Sequence, residues 1–227
     1  MKTSTRRNFL KKIAITAASA VAVPGLVKAS ENLGTAEAES AEAFPGPGGL
    51  IVPKGNGLQI SGTFLDEISH DIPHQNWGEK EWDADFRYMK AVGIDTVILI
   101  RSGYRKFITY PSPHLLGQGC YMPSVDLVDM YLRLAQKYGM KFYFGLYDSG
   151  RYWDTGDMSS EVEHNKYVID EVWRMYGEKY RSFGGWYLSG EISRSTKGAI
   201  GAFRAMGNQC KAVSGGLPTF ISPWIDG

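Results

Sequence analysis

The chain has 227 residues, enough for one large domain or two small ones with a sizeable core. Its 25 Lys and Arg against 24 Asp and Glu give a formal net charge of +1, so it lacks the basic excess that marks a nucleic-acid binder. Aromatic residues make up 13%, rich in Tyr and Trp, which suits surfaces both apolar and hydrogen-bonding, as sugar or peptide sites are.

Residues 1–29 read as an export signal. MKTSTRRNFLKK is basic, IAITAASAVAVPGLV is mildly apolar, and Val27-Lys28-Ala29 supplies a small-residue cleavage site. Thr5 to Lys11, TRRNFLK, matches the twin-arginine pattern. The expected partner is therefore the twin-arginine translocation machinery, and the expected location periplasmic or extracellular. A general secretory signal or short anchor shares this outline. The apolar run is nevertheless too short and too rich in Ala and Thr to remain in a membrane after processing. The segment holds six basic and no acidic residues, so its removal takes the charge from +1 to −5. Residues 30–57, acidic and Ala-rich and then Pro/Gly-rich, have little to bury and read as a flexible spacer.

From 58 to 227 strands and helices alternate. LQISGTFLDE predicts a strand. EKEWDADFRYMKAVG predicts a helix with Trp82, Phe86 and Met89 on one face and Gly93 as its stop. IDTVILIR is a β-branched strand, SVDLVDMYLRLAQKYG an amphipathic helix closed by glycine, and MKFYFGLYDS a third strand. A helix is predicted from Ser159 to about Tyr180, then a strand FGGWYLSGE, a helix KGAIGAFRAMGNQCKAVS and a fifth strand LPTFISPW.

Strands separated by crossover helices predict a parallel sheet and an α/β fold. No Gly-x-Gly-x-x-Gly or Walker-type lysine loop supports nucleotide binding. Polar residues gather at the C-terminal ends of the strands: Asp66-Glu67, Arg101, Tyr147-Asp148, Glu191, and Trp224 with Asp226. That is the active face of a (β/α)₈ TIM barrel, although an open parallel sheet has the same functional end. A complete barrel takes roughly 250 residues, so five strands in this length predict a barrel truncated after the fifth.

Side chains alternate along a strand, so parity puts Tyr187, Ser189 and Glu191 on one face and Trp186 and Leu188 on the other. The same rule points Tyr143, Gly145 and Tyr147 inward, opposite Phe142, Phe144 and Leu146. It separates Ile60 and Phe64 from Ser61, Thr63 and Glu67. Glu67, Tyr147 and Glu191 are thereby expected at one mouth, with Asp66 and Asp148 open as substitutes past the last paired residues. A partly desolvated carboxyl facing a second carboxylate is the pairing that cleaves a glycosidic bond. Arg101 is placed to bind substrate oxygens or to form a structural ion pair. Tyr152 and Trp153 are placed to stack on a sugar ring or to cap the barrel end. His70 and His74, with Asp66 or Asp71, offer the one metal-like grouping, but Pro73 between them breaks the helical spacing a two-histidine motif needs. No cofactor is expected. Cys120 and Cys210 lack metal-ligand spacing, and whether they pair stays open.

ISGTFLDEISHDIPHQNWGEKEW, GIDTVILIRSGYR, KFYFGLYDSGRYW and GGWYLSGEIS, in that order, resemble a bacterial family described as domain of unknown function 4434. Its members are described as exported, glycoside-hydrolase-like TIM barrels. The resemblance runs from about Ile60 to Trp224. It implies a carbohydrate substrate and an acid/base at the end of the fourth strand, where Glu191 stands. Such barrels usually carry Asn just before that residue, whereas Gly190 precedes it here, and their nucleophile ends a seventh strand that this sequence does not contain. The expectation is an exported glycosidase-like enzyme with catalytic Glu191 and Glu67. Arg101, Tyr147, Asp148, Tyr152, Trp153, Tyr187 and Trp224 would bind substrate. A non-catalytic carbohydrate-binding or scaffold protein, or an inactive fragment, is the alternative.

Overall fold

In the computed structural model, which describes residues 44–45, 51–52, 60–67, 77–192 and 195–222, the periodic segments fold as helices with recognisable starts and stops. Two short strands, β1 (Phe44–Pro45) and β2 (Ile51–Val52), pair antiparallel within the stretch expected to be a spacer. Helix α1 (Glu79–Ala91) opens with the Glu81 carboxylate accepting from the Gly78 amide at 3.0 Å and buries Trp82, Phe86 and Met89. Gly93, at φ 95°, closes it, and the Ile94 amide turns back to the Met89 carbonyl at 2.9 Å.

The main sheet has five strands: β3 (Gly62–Leu65), β4 (Thr96–Leu99), β7 (Lys141–Gly145), β9 (Phe183–Tyr187) and β10 (Thr219–Phe220). They lie in sequence order from β3 to β10, and every neighbouring pair is parallel. This is the α/β architecture expected. Among the described residues the sheet does not close on itself, and β3 and β10 are its edges.

Beyond β4 and β7 the chain builds a smaller sheet. A hairpin of β5 (Gly103–Tyr104) and β6 (Phe107–Ile108) joins β8 (Tyr147–Asp148), which runs parallel to β5. Helix α2 (Pro113–Gly117) follows the hairpin and is capped by the Ser112 hydroxyl. Helix α3 (Leu127–Lys137) is capped by Asp126, whose carboxylate accepts from the Asp129 amide at 2.9 Å. Helix α4 (Arg151–Thr155) follows β8. The helix expected to reach Tyr180 is α-helical only to Val172, as α5 (Ser159–Val172), and then widens into a π turn over Trp173–Gly177. Gly177 makes the turn possible, because a Cβ there would sit 2.2 Å from the Trp173 ring. Helix α6 (Ala199–Val213) leads to β10.

One face of the sheet lies under the helices, where Val97, Leu99, Phe142, Phe144 and Trp186 are fully buried. Trp82, Phe86 and Tyr131 from α1 and α3 pack there, with Trp82 and Tyr131 edge to face at 4.9 Å. The opposite face carries Phe64, Ile98, Tyr143, Tyr187 and Phe220; Tyr187 meets both Phe64 and Phe220 at 5.2 Å. The expected parity of the first strand is therefore inverted. The β3–β4 register aligns Thr63 and Leu65 with the buried Val97 and Leu99, which turns Phe64 to the other face at 43% exposed. No helix among the described residues is long and apolar enough to cross a membrane.

Candidate functional site

Parallel strands bring their C-terminal ends to one side of a sheet, and the chain's polar strand-end residues meet there. Ile100 and Arg101 after β4, Asp148 in β8, and Tyr187, Ser189, Gly190 and Glu191 at the end of β9 line one crevice. Its enclosed volume is about 10 Å³, room for one water, so a sugar would lie across its mouth rather than within it.

The close approach behind the crevice depends on Gly145. A Cβ at that position would fall 2.0 Å from the Leu99 carbonyl oxygen and 2.8 Å from the Arg101 amide nitrogen. With no side chain there, the Ser102 amide reaches the Gly145 carbonyl at 2.9 Å and the ends of β4 and β7 stay together. The Ser189 hydroxyl donates to the Ile100 carbonyl at 2.6 Å, tying the β9 end to the same spot.

Arg101 and Asp148 form a buried ion pair at 3.1 Å, with side chains 5% and 4% exposed. Asp148 also accepts from the Gly150 amide at 2.8 Å and from the Tyr152 hydroxyl at 3.4 Å. The same Tyr152 oxygen accepts from the Glu191 amide at 3.3 Å. One phenol thus joins the turn after β8 to the turn after β9. Burial, reinforced by the charge of Asp148, holds the Tyr152 hydroxyl well above its ordinary value, so it stays protonated as the donor. Trp153 is 47% exposed and tilts against Tyr152 at 5.1 Å, presenting a ring to solvent beside the crevice.

Two residues expected at the mouth lie elsewhere. Glu67 is 4% exposed on the helix side of the sheet, against Tyr131 of α3; burial pushes its carboxyl up to about 7, with the Tyr131 hydroxyl opposing that rise. Tyr147 turns away from the crevice, donates its hydroxyl to the Arg105 carbonyl and packs edge-on to His164 at 5.7 Å. Glu67 keeps the alternation of Thr63 and Leu65 and goes with them to the helix side, so its displacement follows from the inverted face of β3. Tyr147 departs from the parity rule because the β7 ladder ends before it, at Gly145. Asp148 takes the place expected of Tyr147. Tyr187 lies in the crevice wall, where burial raises its hydroxyl pKa. Trp224, His70 and His74 lie outside the described residues.

Glu161 escaped the sequence reading. It stands in the first turn of α5, 2% exposed, and takes two hydrogen bonds from Ser149, one from the amide at 2.9 Å and one from the hydroxyl. Desolvation pushes its carboxyl up to about 7 against the opposing effect of those bonds, and the charge of Asp148 adds to the rise. Nothing local marks it, since its partner lies twelve residues away and their meeting depends on how α5 packs. Among the described residues no group of three or more His, Cys, Asp or Glu is arranged to hold a metal ion. Cys120 and Cys210 are free thiols.

A solved structure from Bacteroides thetaiotaomicron, named as a "putative alpha-L-fucosidase", is 84% identical over 78% of this chain, with a TM-score of 0.73. The chain spans 56% of the length of that protein. A glycoside hydrolase family 5 structure from Bacteroides vulgatus is 12% identical, covering 65% of this chain and 32% of its own, with a TM-score of 0.47. That second likeness is too slight to bear on fold or site. No curated protein matches the chain. The model of the family described as Domain of unknown function (DUF4434) matches residues 60–227, which takes in the whole sheet and every residue of the crevice. The chain is a member of the DUF4434 family.

Proposed function

We propose that the protein is a glycoside-hydrolase-like enzyme acting on a polysaccharide or glycan, with Glu191 as general acid/base. The observation that carries this reading is the convergence of Glu191 with the Arg101–Asp148 pair on one crevice at the C-terminal strand ends. The 84% identical structure named for fucosidase activity supports it. The sheet is read as part of a (β/α)₈ barrel, because its strands follow one another in sequence order, all parallel, with helices between them. Export through the twin-arginine machinery to the periplasm or cell exterior belongs to the same proposal and rests on residues 1–29.

In this reading Glu191 gives its proton to the leaving glycosidic oxygen. Asp148, held by Arg101 at 3.1 Å, sets a carboxylate where positive charge develops on the sugar. Tyr152 holds the two carboxylate-bearing turns in register, and Trp153 offers a stacking face. The test is Glu191→Gln, assayed first on an aryl α-L-fucoside and then on a polysaccharide panel. Turnover should fall by about 10²-fold or more while glycan binding persists; unchanged turnover refutes the assignment. A binding-only role has one observation in its favour: Asp148, the other carboxylate of the crevice, is already neutralised by Arg101. Binding without released sugar in the wild-type protein would establish that role instead.

A further inference from the structure

Arg105 is the only non-glycine residue with positive φ among the described residues, at 56°. It is the first of the two residues turning the β5–β6 hairpin, a place where glycine is favoured because an L side chain there is strained. The strained backbone is held from three sides. Its amide donates to the Asp148 carbonyl at 2.9 Å, and its carbonyl accepts from the Tyr147 hydroxyl and, at 3.5 Å, from the Cys120 thiol. The side chain is placed as firmly. Its guanidinium carbon lies 5.2 Å from the centre of the Tyr104 ring, which Arg101 also approaches, at 5.1 Å. Gly150 leaves room for it, since a Cβ there would come within 3.0 Å of the Arg105 Nε.

Arg101 is buried and spent on Asp148, but Arg105 is exposed and makes no ion pair among the described residues. Lys106 and Arg151, its neighbours across the hairpin tip and the Gly150 turn, are exposed as well. A cation fixed by backbone strain and ring stacking, one aromatic ring from the crevice, is pre-organised for an anion. We propose that Arg105 is a specificity residue, and that the site takes glycans bearing an acidic group, a uronate carboxylate or a sulfate ester, seated on its guanidinium. This rests on the glycan reading of the crevice and adds the class of substrate.

The experiment uses the full chain in calorimetry with two matched pairs: trigalacturonate against its methyl ester, and a sulfated fucose oligosaccharide against its desulfated form. At low salt one acidic member should bind at least about tenfold more tightly than its neutral partner, and which pair responds tells carboxylate from sulfate. Arg105→Gly should erase that preference while raising Tm by about 2–4 °C, because glycine accepts the left-handed backbone without strain. Arg105→Gln should erase the preference too, and Arg105→Lys should keep part of it. Equal binding of charged and neutral partners, no binding of either pair, or a preference that survives Arg105→Gly overturns the proposal. Glu191-dependent turnover of a neutral glycan alongside that result would leave the glycosidase reading standing and remove only the acidic substrate class.

Discussion

Glu161→Gln is the variant whose effect follows most directly from the geometry. The wild-type carboxyl is 2% exposed and rises from 4.5 to about 7 because burial disfavours its charge more than the two Ser149 bonds favour it. At about 1.4 kcal/mol per pH unit the difference is worth roughly 3 kcal/mol. The unfolded chain loses this proton near 4.5 and the folded chain near 7. The contribution is therefore complete below pH 4.5, is lost as pH rises to 7, and is absent above. Gln mimics the protonated acid, since its oxygen can accept from the Ser149 amide while its NH₂ donates to the Ser149 hydroxyl. The variant should match wild type at pH 4 and exceed it by up to about 3 kcal/mol at pH 8, read by urea unfolding across that range. Wild type and variant losing stability in parallel between pH 5 and 7 would show that Glu161 does not carry the proton.

Arg101→Met strands the Asp148 carboxylate in the interior and should cost about 3–5 kcal/mol by denaturant unfolding. The double variant Arg101→Met with Asp148→Asn should recover a large part of that loss; a double variant as unstable as the single would mean packing, not charge, sets the cost. Gly145→Ala should destabilise by about 2–3 kcal/mol or more, because its Cβ collides with backbone atoms of β4 that cannot swing aside. A thermal melt unchanged by that methyl would show that the two strand ends separate freely. Trp153→Ala, at a half-exposed ring, should leave stability within about 0.5 kcal/mol and weaken glycan binding about tenfold in calorimetry.

The alternation of helix and strand was legible because each element carries its own period: Trp82, Phe86 and Met89 repeat as a helix does, and IDTVILIR is apolar as a doubly covered strand is. The residues between β4 and α3 were not legible, because their partners lie far along the chain. Ser112 and the His114 amide both donate to Glu171, and a His114 ring nitrogen meets one of His164 at 3.1 Å. Parity served in β9, where the ladder continues to Tyr187, and failed at Tyr147, two residues past the end of β7.

That failure explains how the site is built. Arg101, Asp148, Tyr152 and Glu191 announce themselves by type and by position at strand ends. Which of them face one another is decided after the strands stop, by the room at Gly145 and Gly150 and by one phenol bridging two turns. The alternation of the main sheet has no hold on such segments, since its β7 ladder ends at Gly145 and Tyr147–Asp148 pair instead with β5 in the smaller sheet. The chemistry of the crevice is therefore written in residue types, while its geometry is written in glycines and in a strained arginine whose neighbours come from three separate stretches of chain. The same division predicts where a sequence change will act. A change in a carboxylate or guanidinium will alter the chemistry, whereas a methyl added at Gly145 or Gly150 will disassemble the site with every charged group still present.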